Sequence, residues 1–283
     1  MTDYTRDEAS RREYWRAQME AAYAFTEKIK KYPLTECCEP MVSVRQAVKD
    51  ARLTVKFSDT KIADKYERVF FLRKGLIKNF LAVAKEMNNR GCFLKVEDCF
   101  RTRNMQRYVG LQDSVFDAVL KKVIWENNGE APSPELMFRR LNAFIAITSK
   151  IAPHISGSSI DISVYQASNL SEMDCGGSYL EISELTFMDS PFISQEESKN
   201  RKEIKRIMKT HGFIAYPFEF WHFSQGDAYA EQLTKSNNNA RYGAVHFDLT
   251  SGQIVPLDKQ DMPLYSMDEI QEKIESALTH INK

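Results

Sequence analysis

The sequence predicts an α+β protein that forms a single domain, in which helices flank a small antiparallel sheet. Two observations lead to this prediction. Segments with helical periodicity concentrate in the first half of the chain, whereas short strand-like segments concentrate in the second half. Strands and helices do not alternate regularly, so a doubly wound parallel sheet is not expected. We divide the chain into an N-terminal helical extension, residues 1–50, and a main domain, residues 51–283.

The first half of the chain contains most of the predicted helices. Their apolar residues recur with a period of about 3.6, which is typical of helices that face a core on one side. The predicted helices are residues 7–31, 68–91, about 104–126 and about 134–149. Stretches rich in proline, asparagine or glycine separate them, including YPLTECCEP and NNGEAPSP. Short strands are predicted at residues 52–57 and 92–100.

The second half is richer in predicted strands. Alternating and β-branched residues indicate strands at IDISVY (160–165), FIAY (213–216), FEFWHF (218–223) and residues 241–249. Two helices complete the chain, one near residues 198–211 and one at residues 267–281. The predicted sheet is therefore built mainly from strands that follow the helical half.

Charge and cysteine content narrow the functional classes. The 39 basic and 39 acidic residues cancel, so we expect no nucleic-acid partner. No apolar run approaches the roughly 18 residues of a membrane span, and no signal peptide is recognised, so we expect no membrane association and a cytoplasmic location. The five scattered cysteines are expected to be reduced thiols. Because no CxxC pattern occurs, a metal site would have to use histidine and carboxylate ligands.

Two fragments concentrate the residues that could form such a site. PHISGSSID places His154 and Asp161 seven residues apart across a small, glycine-containing turn, so both side chains could face one ion. FEFWHF places Glu219 and His222 three residues apart. A hydrolytic zinc site needs three nitrogen or oxygen ligands and an open position for water. The fragments therefore suggest two histidines and an aspartate as ligands, with Glu219 as general base.

The second fragment also raises a geometric difficulty. Side chains alternate along a strand, so positions 219 and 222 would lie on opposite faces if all of FEFWHF were strand. One of the two residues must then lie at the strand end, in a bulge or beyond the strand. Each residue alone has a simpler alternative: His222 as a core or surface histidine, Asp161 as a turn or cap residue, and Glu219 as a solvated strand residue.

The two fragments resemble motifs of the VanX-type zinc D-Ala-D-Ala dipeptidases, which carry a segment SxHxxGxxxD and, farther on, ExWHF. APHISGSSID matches the first motif at its histidine, glycine and aspartate, and EFWHFSQGD matches the second at its glutamate, tryptophan and histidine. Further similarity extends over roughly residues 68–243, through GCFLKVEDCFRTRNMQ, MDCGGSYLEIS and ARYG. The resemblance implies a catalytic domain whose zinc site lies on the small sheet.

The resemblance also implies a role for each matched residue. His154, Asp161 and His222 would bind Zn²⁺. Glu219 would take a proton from the attacking water and later give it to the leaving amine. Arg101, in DCFRTRN, matches the family arginine that stabilises the substrate carbonyl oxygen as it becomes negatively charged, a role that suits a fixed guanidinium. Arg103 is the alternative if the alignment slips.

Departures from the family pattern concern the substrate more than the hydrolysis. The family serine before the first histidine is Ala152, the proline after the arginine is Thr102, and the loop aspartate that holds the substrate's free amino group is Leu180. Glu181 could pair with that ammonium instead. If Glu181 is only a loop charge, the chain would prefer a longer peptide or a different amino end. The expected substrate-binding residues are Glu181, Trp221 and Ser158.

The implied function is that of a zinc dipeptidase acting on D-alanyl-D-alanine or a similar small dipeptide, with Zn²⁺ as cofactor. One alternative is a D,D-carboxypeptidase or endopeptidase of peptidoglycan peptides, which the missing export signal disfavours because the wall lies outside the cell. Another is a zinc-binding interaction domain without catalysis, as in hedgehog-like zinc folds. Glu219 and Arg101 disfavour it, because a binding module needs neither a base nor an oxyanion clamp. No oligomeric state is predicted.

Overall fold

A computed structural model describes residues 7–281 of the chain. Its mixture of helices and strands confirms the predicted α+β class. The helices are α1 (Glu8–Lys31), α2 (Val44–Ala51), α3 (Lys74–Asn89), α4 (Arg103–Leu111), α5 (Asp113–Glu126), α6 (Pro134–Phe144), α7 (Pro153–Ser156), α8 (Gln195–Thr210), α9 (Ala228–Thr234) and α10 (Met267–Ile281). The strands are β1 (Met41–Ser43), β2 (Val55–Phe57), β3 (Phe71–Arg73), β4 (Cys92–Asp98), β5 (Ser159–Gln166), β6 (Ile214–Ala215), β7 (His222–Ser224), β8 (Val245–Phe247) and β9 (Ile254–Pro256). Residues 1–6 of the predicted extension and residues 282–283 of the predicted main domain lie outside the described residues.

Five of the strands form one sheet in the order β2-β4-β5-β7-β6. The pairs β4–β5, β5–β7 and β6–β7 are antiparallel, as predicted. The edge strand β2 pairs with β4 in parallel, so the sheet is mixed rather than purely antiparallel. Two further antiparallel pairs, β1–β3 and β8–β9, lie outside this sheet.

The central strand β5 shows how the sheet separates the core from its polar face. Ile160, Ile162 and Val164 are buried in a hydrophobic core with residues of α3 and α8. Burial of each such aliphatic side chain contributes roughly 1.5–3 kcal/mol to folding. The alternate residues of β5, including Asp161 and Ser163, point to the opposite face. One face of the sheet is thus covered by two helices, and the other presents polar side chains.

Helices α5 and α6 pack against each other, and each of them also contacts α1 and α10. In α1, Trp15 is 2% exposed and its indole donates to the Glu126 carboxylate at 3.0 Å. Glu126 also accepts from the buried Arg140 guanidinium at 2.9 Å. The N-terminal helix is therefore packed into the fold, while a domain boundary at residue 50 stays a prediction. Among residues 7–281, no helix combines the length and the apolar character needed to cross a bilayer.

Two long predicted helices are shorter or divided in the structure. The helix predicted at 104–126 is divided at Gln112, whose backbone is extended. The Gln112 side chain accepts from the Val115 amide and so caps α5, which stabilises the break. The helix predicted at 134–149 ends at Phe144. No glycine or proline directly follows either helix, so periodicity alone overextends both of them.

Short elements are the ones that periodicity does not predict. Helices α2 and α9 have only 8 and 7 residues. The helix predicted at 68–91 begins at Lys74, because the residues just before it form β3. Of the predicted strand FEFWHF, only His222 and Phe223 belong to β7.

Candidate metal centre

Three polar residues form a row across three neighbouring strands at one end of the sheet. Asp161 of β5 pairs with His222 of β7 on one side and with Asp98 of β4 on the other. Residues paired in this way project to the same face, so their side chains can meet. The alignment of Asp98 depends on a one-residue shift of register after Val96. Without that shift, Asp98 would follow Val96 to the core face.

His154 reaches the same end of the sheet from a tight turn before β5. The turn consists of α7, which begins at Pro153 and is followed by Gly157 in the left-handed conformation, with φ of 71°. A Cβ atom at position 157 would overlap only the flexible end of the Met41 side chain, so it is the left-handed conformation that favours glycine here. The turn reverses the chain and places His154 beside Asp161.

His154, Asp161 and His222 form a compact, buried group, which we call the His–Asp–His cluster. One ligand atom of each residue lies within 4.8 Å of the other two. The Asp161 carboxylate is 2.8 Å from Nδ1 of His222 and 3.4 Å from Nε2 of His154. Burial opposes ionisation of Asp161, but the two histidines hold its pKa well below the usual value. The predicted ligands therefore converge on one point.

Both histidines are prepared to act as ligands. Nδ1 of His154 donates to the backbone carbonyl oxygen of Cys99, which leaves the Nε2 lone pair facing Asp161. Backbone carbonyls commonly orient metal-binding histidines in this way. Burial lowers the pKa of His222, although Asp161 opposes this effect, so the neutral imidazole is favoured. Two imidazole nitrogens and a carboxylate are donors that zinc accepts, so the residues fit a zinc ion.

Glu219 lies next to the cluster because FEFWHF turns before it becomes a strand. The His222 amide donates to the Glu219 carbonyl oxygen at 3.2 Å, which closes a turn ahead of β7. The Glu219 carboxylate then lies 4.0 Å from Nδ1 of His222. Glu219 therefore lies outside β7, just before the strand begins. This agrees with the expectation that one of the two residues lies at the strand end, in a bulge or beyond the strand.

The carboxyl group of Glu219 has a strongly perturbed pKa. Burial and the nearby charge of Asp161 raise the pKa of Glu219 to about 8, while Arg101 opposes the rise. The side chain is 16% exposed. Such shifts are frequent at functional sites, and a carboxyl group with a pKa near neutrality can both accept and return a proton.

Arg101 directs its guanidinium toward the cluster from the segment after β4. Nε donates to Asp98 at 2.7 Å and Nη1 donates to Gln106 at 3.2 Å. Nη2 lies 3.8 Å from the Asp161 carboxylate. Burial opposes the charge of Arg101, but Asp98 raises its pKa above the usual value. The alternative residue, Arg103, begins α4 and does not line the adjoining cavity.

A cavity of about 280 Å³ adjoins the cluster. Glu219, Arg101 and all three residues of the cluster line it. The lining also includes apolar side chains from α4, α5 and the end of α6. The volume is just below the roughly 300–1,000 Å³ of typical small-ligand pockets. The cavity therefore suits a small molecule that reaches the cluster, the base and the guanidinium together.

Of the predicted substrate-binding residues, Trp221 lines the cavity and Ser158 does not. Trp221 is 2% exposed, lines the cavity and packs on Tyr179 with ring centroids 5.6 Å apart. Ser158 is fully buried, and its hydroxyl donates to Asp227 at 2.6 Å. Ser158 does not line the cavity, and its contact with substrate stays a prediction. Its hydrogen bond instead connects the turn before β5 to the N-terminus of α9.

Glu181, the third predicted substrate-binding residue, turns back into its own loop. Its carboxylate accepts from the Ser178 amide at 3.0 Å and from the Ser183 hydroxyl at 2.5 Å. Glu181 does not line the cavity, whereas its neighbour Leu180 does and is 54% exposed. Glu181 is therefore held within its own loop, outside the cavity lining, and its contact with substrate stays a prediction.

Two residues of the site were not predicted from the sequence. The Tyr179 hydroxyl donates to Asp161 at 3.1 Å, and Asp98 holds Arg101. Both lie next to residues that the sequence did single out: Tyr179 precedes Leu180, and Asp98 is three residues before Arg101. Their closeness in sequence to predicted site residues could have identified both. The register shift that brings Asp98 to this face, however, has no evident sequence signal.

Comparisons with known proteins identify similar chains. A family model described as D-ala-D-ala dipeptidase matches residues 39–240. A D-alanyl-D-alanine dipeptidase of Enterococcus faecalis is 30% identical over 70 residues, which cover 25% of this chain and 35% of that protein. One of Enterococcus faecium is 31% identical over 70 residues with the same coverage, 25% and 35%. The match thus spans about a third of the length of these curated relatives. The solved structure of the LD-carboxypeptidase LdcB aligns with 72% of this chain and 78% of its own at 16% identity, with a TM-score of 0.36.

Proposed function

The chain belongs to the D-ala-D-ala dipeptidase family, and on this premise we propose that it is a zinc-dependent dipeptidase. The proposed substrate is D-alanyl-D-alanine or a similar small dipeptide, whose peptide bond is cleaved by water. The observation that carries the proposal is the meeting of the His–Asp–His cluster, Glu219 and Arg101 on one cavity.

The His–Asp–His cluster would hold the zinc ion. Its two imidazoles and one carboxylate supply the three protein ligands of a catalytic zinc site, in which a further position stays open. When bound, zinc lowers the pKa of water and polarises a peptide carbonyl group. The hydrogen bond from His154 to the Cys99 carbonyl oxygen keeps the ring oriented for this role.

Glu219 would move the proton during hydrolysis. Its ionised carboxylate accepts a proton from the attacking water, and the protonated form then gives that proton to the leaving amine nitrogen. One water is consumed for each peptide bond cleaved. The carboxylate lies beside the cluster, 4.0 Å from Nδ1 of His222, where it can reach the water without being one of the three proposed ligands. Burial and Asp161 raise the pKa of Glu219 in the metal-free chain, and a zinc ion held by the cluster would oppose that rise and favour the ionised carboxylate that accepts the proton.

Arg101 would stabilise the negative charge that develops on the carbonyl oxygen. Its guanidinium is already fixed by Asp98 and Gln106 before any substrate enters. A preoriented cation of this kind stabilises a transition state without reorganisation during the reaction. A zinc-binding domain without catalysis would require neither this cation nor a base at the cavity, so their presence favours the peptidase.

Zinc content and hydrolysis of D-alanyl-D-alanine, measured on the same preparation, test the proposal. We expect one zinc ion per chain and release of D-alanine, with both lost on chelation and regained when zinc is restored. L-alanyl-L-alanine is the matched control for handedness and should be cleaved more slowly. Longer peptides that end in D-alanyl-D-alanine distinguish a dipeptidase from a carboxypeptidase. Zinc-loaded protein that cleaves none of these peptides would contradict the proposal.

A further inference from the structure

Tyr179 reaches the His–Asp–His cluster from residues 167–194, the long connection between β5 and α8. Its hydroxyl donates to Oδ2 of Asp161 at 3.1 Å, and its side chain lines the cavity. The ring packs edge-on against Trp221, with an angle of 83° between the two ring planes. Because Trp221 directly precedes His222, the tyrosine rests on the segment that carries a second proposed ligand. Packing therefore directs the hydroxyl at the Asp161 carboxylate.

The two oxygens of the Asp161 carboxylate face different partners. Oδ1 is 2.8 Å from Nδ1 of His222. Oδ2 is 3.4 Å from Nε2 of His154 and also accepts from the Tyr179 hydroxyl. Both histidines are proposed ligands, whereas Tyr179 is a neutral donor outside the ligand set. A phenol hydroxyl keeps its proton at neutral pH, so it can hold a carboxylate oxygen by a charge-assisted hydrogen bond.

Arg101 is a competing partner for this carboxylate. Its Nη2 atom lies 3.8 Å from Oδ2 of Asp161, which is beyond hydrogen-bond distance. Asp98 is shared between Arg101 at 2.7 Å and Arg68 at 3.3 Å, so one carboxylate faces two guanidinium groups. The surplus positive charge attracts Asp161. A rotation of the Asp161 carboxylate toward Arg101 would form an ion pair that opposes zinc binding and occupies the guanidinium.

The loop holds Tyr179 in place from both sides. The buried Arg201 guanidinium donates to the carbonyl oxygens of Cys175 and Leu185 at 2.6 and 2.8 Å, and these residues lie before and after the tyrosine. A group that is held by surrounding hydrogen bonds and packing keeps a binding geometry more precisely than a mobile one. The Tyr179 hydroxyl is therefore part of a preformed support for Asp161.

We propose that Tyr179 is a positioning residue of the metal centre, whose hydroxyl holds the Asp161 carboxylate in its zinc-binding orientation and keeps it from pairing with Arg101. The inference rests on the proposed function, because it concerns a zinc ligand and the guanidinium of that same site. Removal of a hydrogen-bond partner of a metal-binding carboxylate typically lowers the metal affinity or the activity by about 10–100-fold. The role adds no step to the reaction, but it lets the zinc ion and Arg101 act separately.

Tyr179→Phe tests this role because it removes the hydroxyl and keeps the ring. We expect the dissociation constant for zinc, measured on metal-free protein by competition with a chelator of known affinity, to rise about tenfold or more. Tyr165→Phe is the matched control. Tyr165 lies on the same strand as Asp161, its hydroxyl donates to the Glu172 carboxylate at 2.9 Å, and neither of these two partners lines the cavity. This variant should change the dissociation constant by no more than about twofold.

A role that is only structural would change different quantities. It would lower the Tm of metal-free Tyr179→Phe but would leave the zinc affinity and the visible absorption spectrum of the Co²⁺-substituted protein unchanged. The bands of that spectrum depend on how the ligands are arranged around the ion. We therefore expect the spectrum to change in Tyr179→Phe and to match that of the wild type in Tyr165→Phe.

The competition with Arg101 has its own test. In an Arg101→Met background, Tyr179→Phe should reduce the zinc affinity less than it does in the wild type, since the freed carboxylate has lost the cation with which it would pair. Equal reductions in the two backgrounds would overturn this part of the proposal.

Zinc affinity separates failure of this inference from failure of the proposed function. Wild-type protein that binds zinc but cleaves no peptide contradicts the proposed function, while the affinities of the variants still decide the role of Tyr179. Equal zinc affinity and the same Co²⁺ spectrum in Tyr179→Phe and the wild type overturn the inference, even if the variant is less stable. Wild-type protein that binds no zinc overturns both.

Discussion

Asp98 and Asp161 stand opposite each other on neighbouring strands because the register of β4 shifts by one residue after Val96. Val96 pairs with Ile162 in the core, and strict alternation would direct Asp98 to the same side. The shift brings Asp98 to the cavity face, where its carboxylate accepts from Arg101 at 2.7 Å. The position of the proposed oxyanion-stabilising guanidinium therefore depends on the pairing of two strands.

Replacing Asp98 by asparagine should impair the placement of Arg101. We expect Asp98→Asn to lower kcat by about tenfold or more while the zinc content is unchanged, because the guanidinium loses a charge-assisted contact but the metal ligands remain. Steady-state kinetics and metal analysis check this. The double variant Asp98→Asn/Arg101→Lys should lose little more activity than Arg101→Lys alone, since the two residues act as a unit. Fully additive losses would contradict the coupling.

Replacing Glu219 by glutamine should separate metal binding from turnover. Glutamine has nearly the same shape as glutamate but cannot accept the proton, so we expect zinc to stay bound and kcat to fall by at least about 10²-fold. Zinc content and kcat measured on the same sample check this result. A zinc-replete variant with near-normal kcat would exclude Glu219 as the general base.

The metal-free protein should lose stability between about pH 4.5 and pH 8 because of Glu219. Its pKa is raised by burial to about 8 in the folded chain, so in this window the folded state retains a proton that the unfolded state has released. Raising the pH therefore favours unfolding, by a few kcal/mol at most. Denaturant unfolding at pH 5 and pH 8 should show that Glu219→Gln gains stability relative to the wild type at the higher pH. A stability difference that does not change with pH would contradict this.

Removing one proposed ligand should weaken zinc binding, whereas removing a distant histidine should not. We expect His222→Ala to reduce zinc affinity and to abolish most of the stabilisation that zinc gives the wild type. His246 is the matched control because its side chain is exposed on β8, between two buried residues. Zinc titration and thermal unfolding with and without zinc measure both effects. Equal zinc affinity in the two variants would remove His222 from the ligand set.

Arg201 should be essential for the loop that carries Tyr179 and Leu180. Its guanidinium is 2% exposed and donates to the carbonyl oxygens of Cys175, Leu185 and Phe187 at 2.6–2.8 Å. Burial lowers the pKa of Arg201 to about 10.

We expect Arg201→Met to reduce the free energy of unfolding by about 3 kcal/mol or more, since two buried carbonyl groups and one part-buried carbonyl group lose their partner. Arg206→Met, on the same helix with a side chain that is 48% exposed, should cost no more than about 0.5 kcal/mol. Urea unfolding of both variants compares them. Similar losses would show that the loop does not depend on Arg201.

The sequence predicts that His154, Asp161, Glu219 and His222 lie together, and they do so because the geometry of each fragment is largely local. A short turn with a left-handed glycine sets the distance between His154 and Asp161, and a turn before β7 sets that between Glu219 and His222. The pairing of β5 with β7 then brings the two fragments together. Their roles in zinc binding and catalysis stay predictions, as does the cytoplasmic location.

The same motifs do not predict the direction in which the Ser158 and Glu181 side chains point. Ser158 lies between two predicted ligands, yet it turns inward because Asp227, 69 residues away, accepts its hydroxyl hydrogen. Glu181 follows Leu180 but is held by amide and hydroxyl donors of its own loop. The partner of Ser158 is distant in sequence and those of Glu181 are its loop neighbours, and neither set of hydrogen bonds follows from the motif spacing that singled out these residues. The division of the predicted helix at Gln112 is a local effect that periodicity does not detect, since the Gln112 side chain caps α5 at the Val115 amide.

Anomalous diffraction at the zinc absorption edge, from crystals of the zinc-loaded protein, tests the central claim most directly. We predict a single strong peak about 2.0–2.2 Å from Nε2 of His154, a carboxylate oxygen of Asp161 and a ring nitrogen of His222, with Glu219 nearby but not coordinated. A zinc peak at any other place, or its absence from this cluster in protein that contains stoichiometric zinc, would contradict the claim.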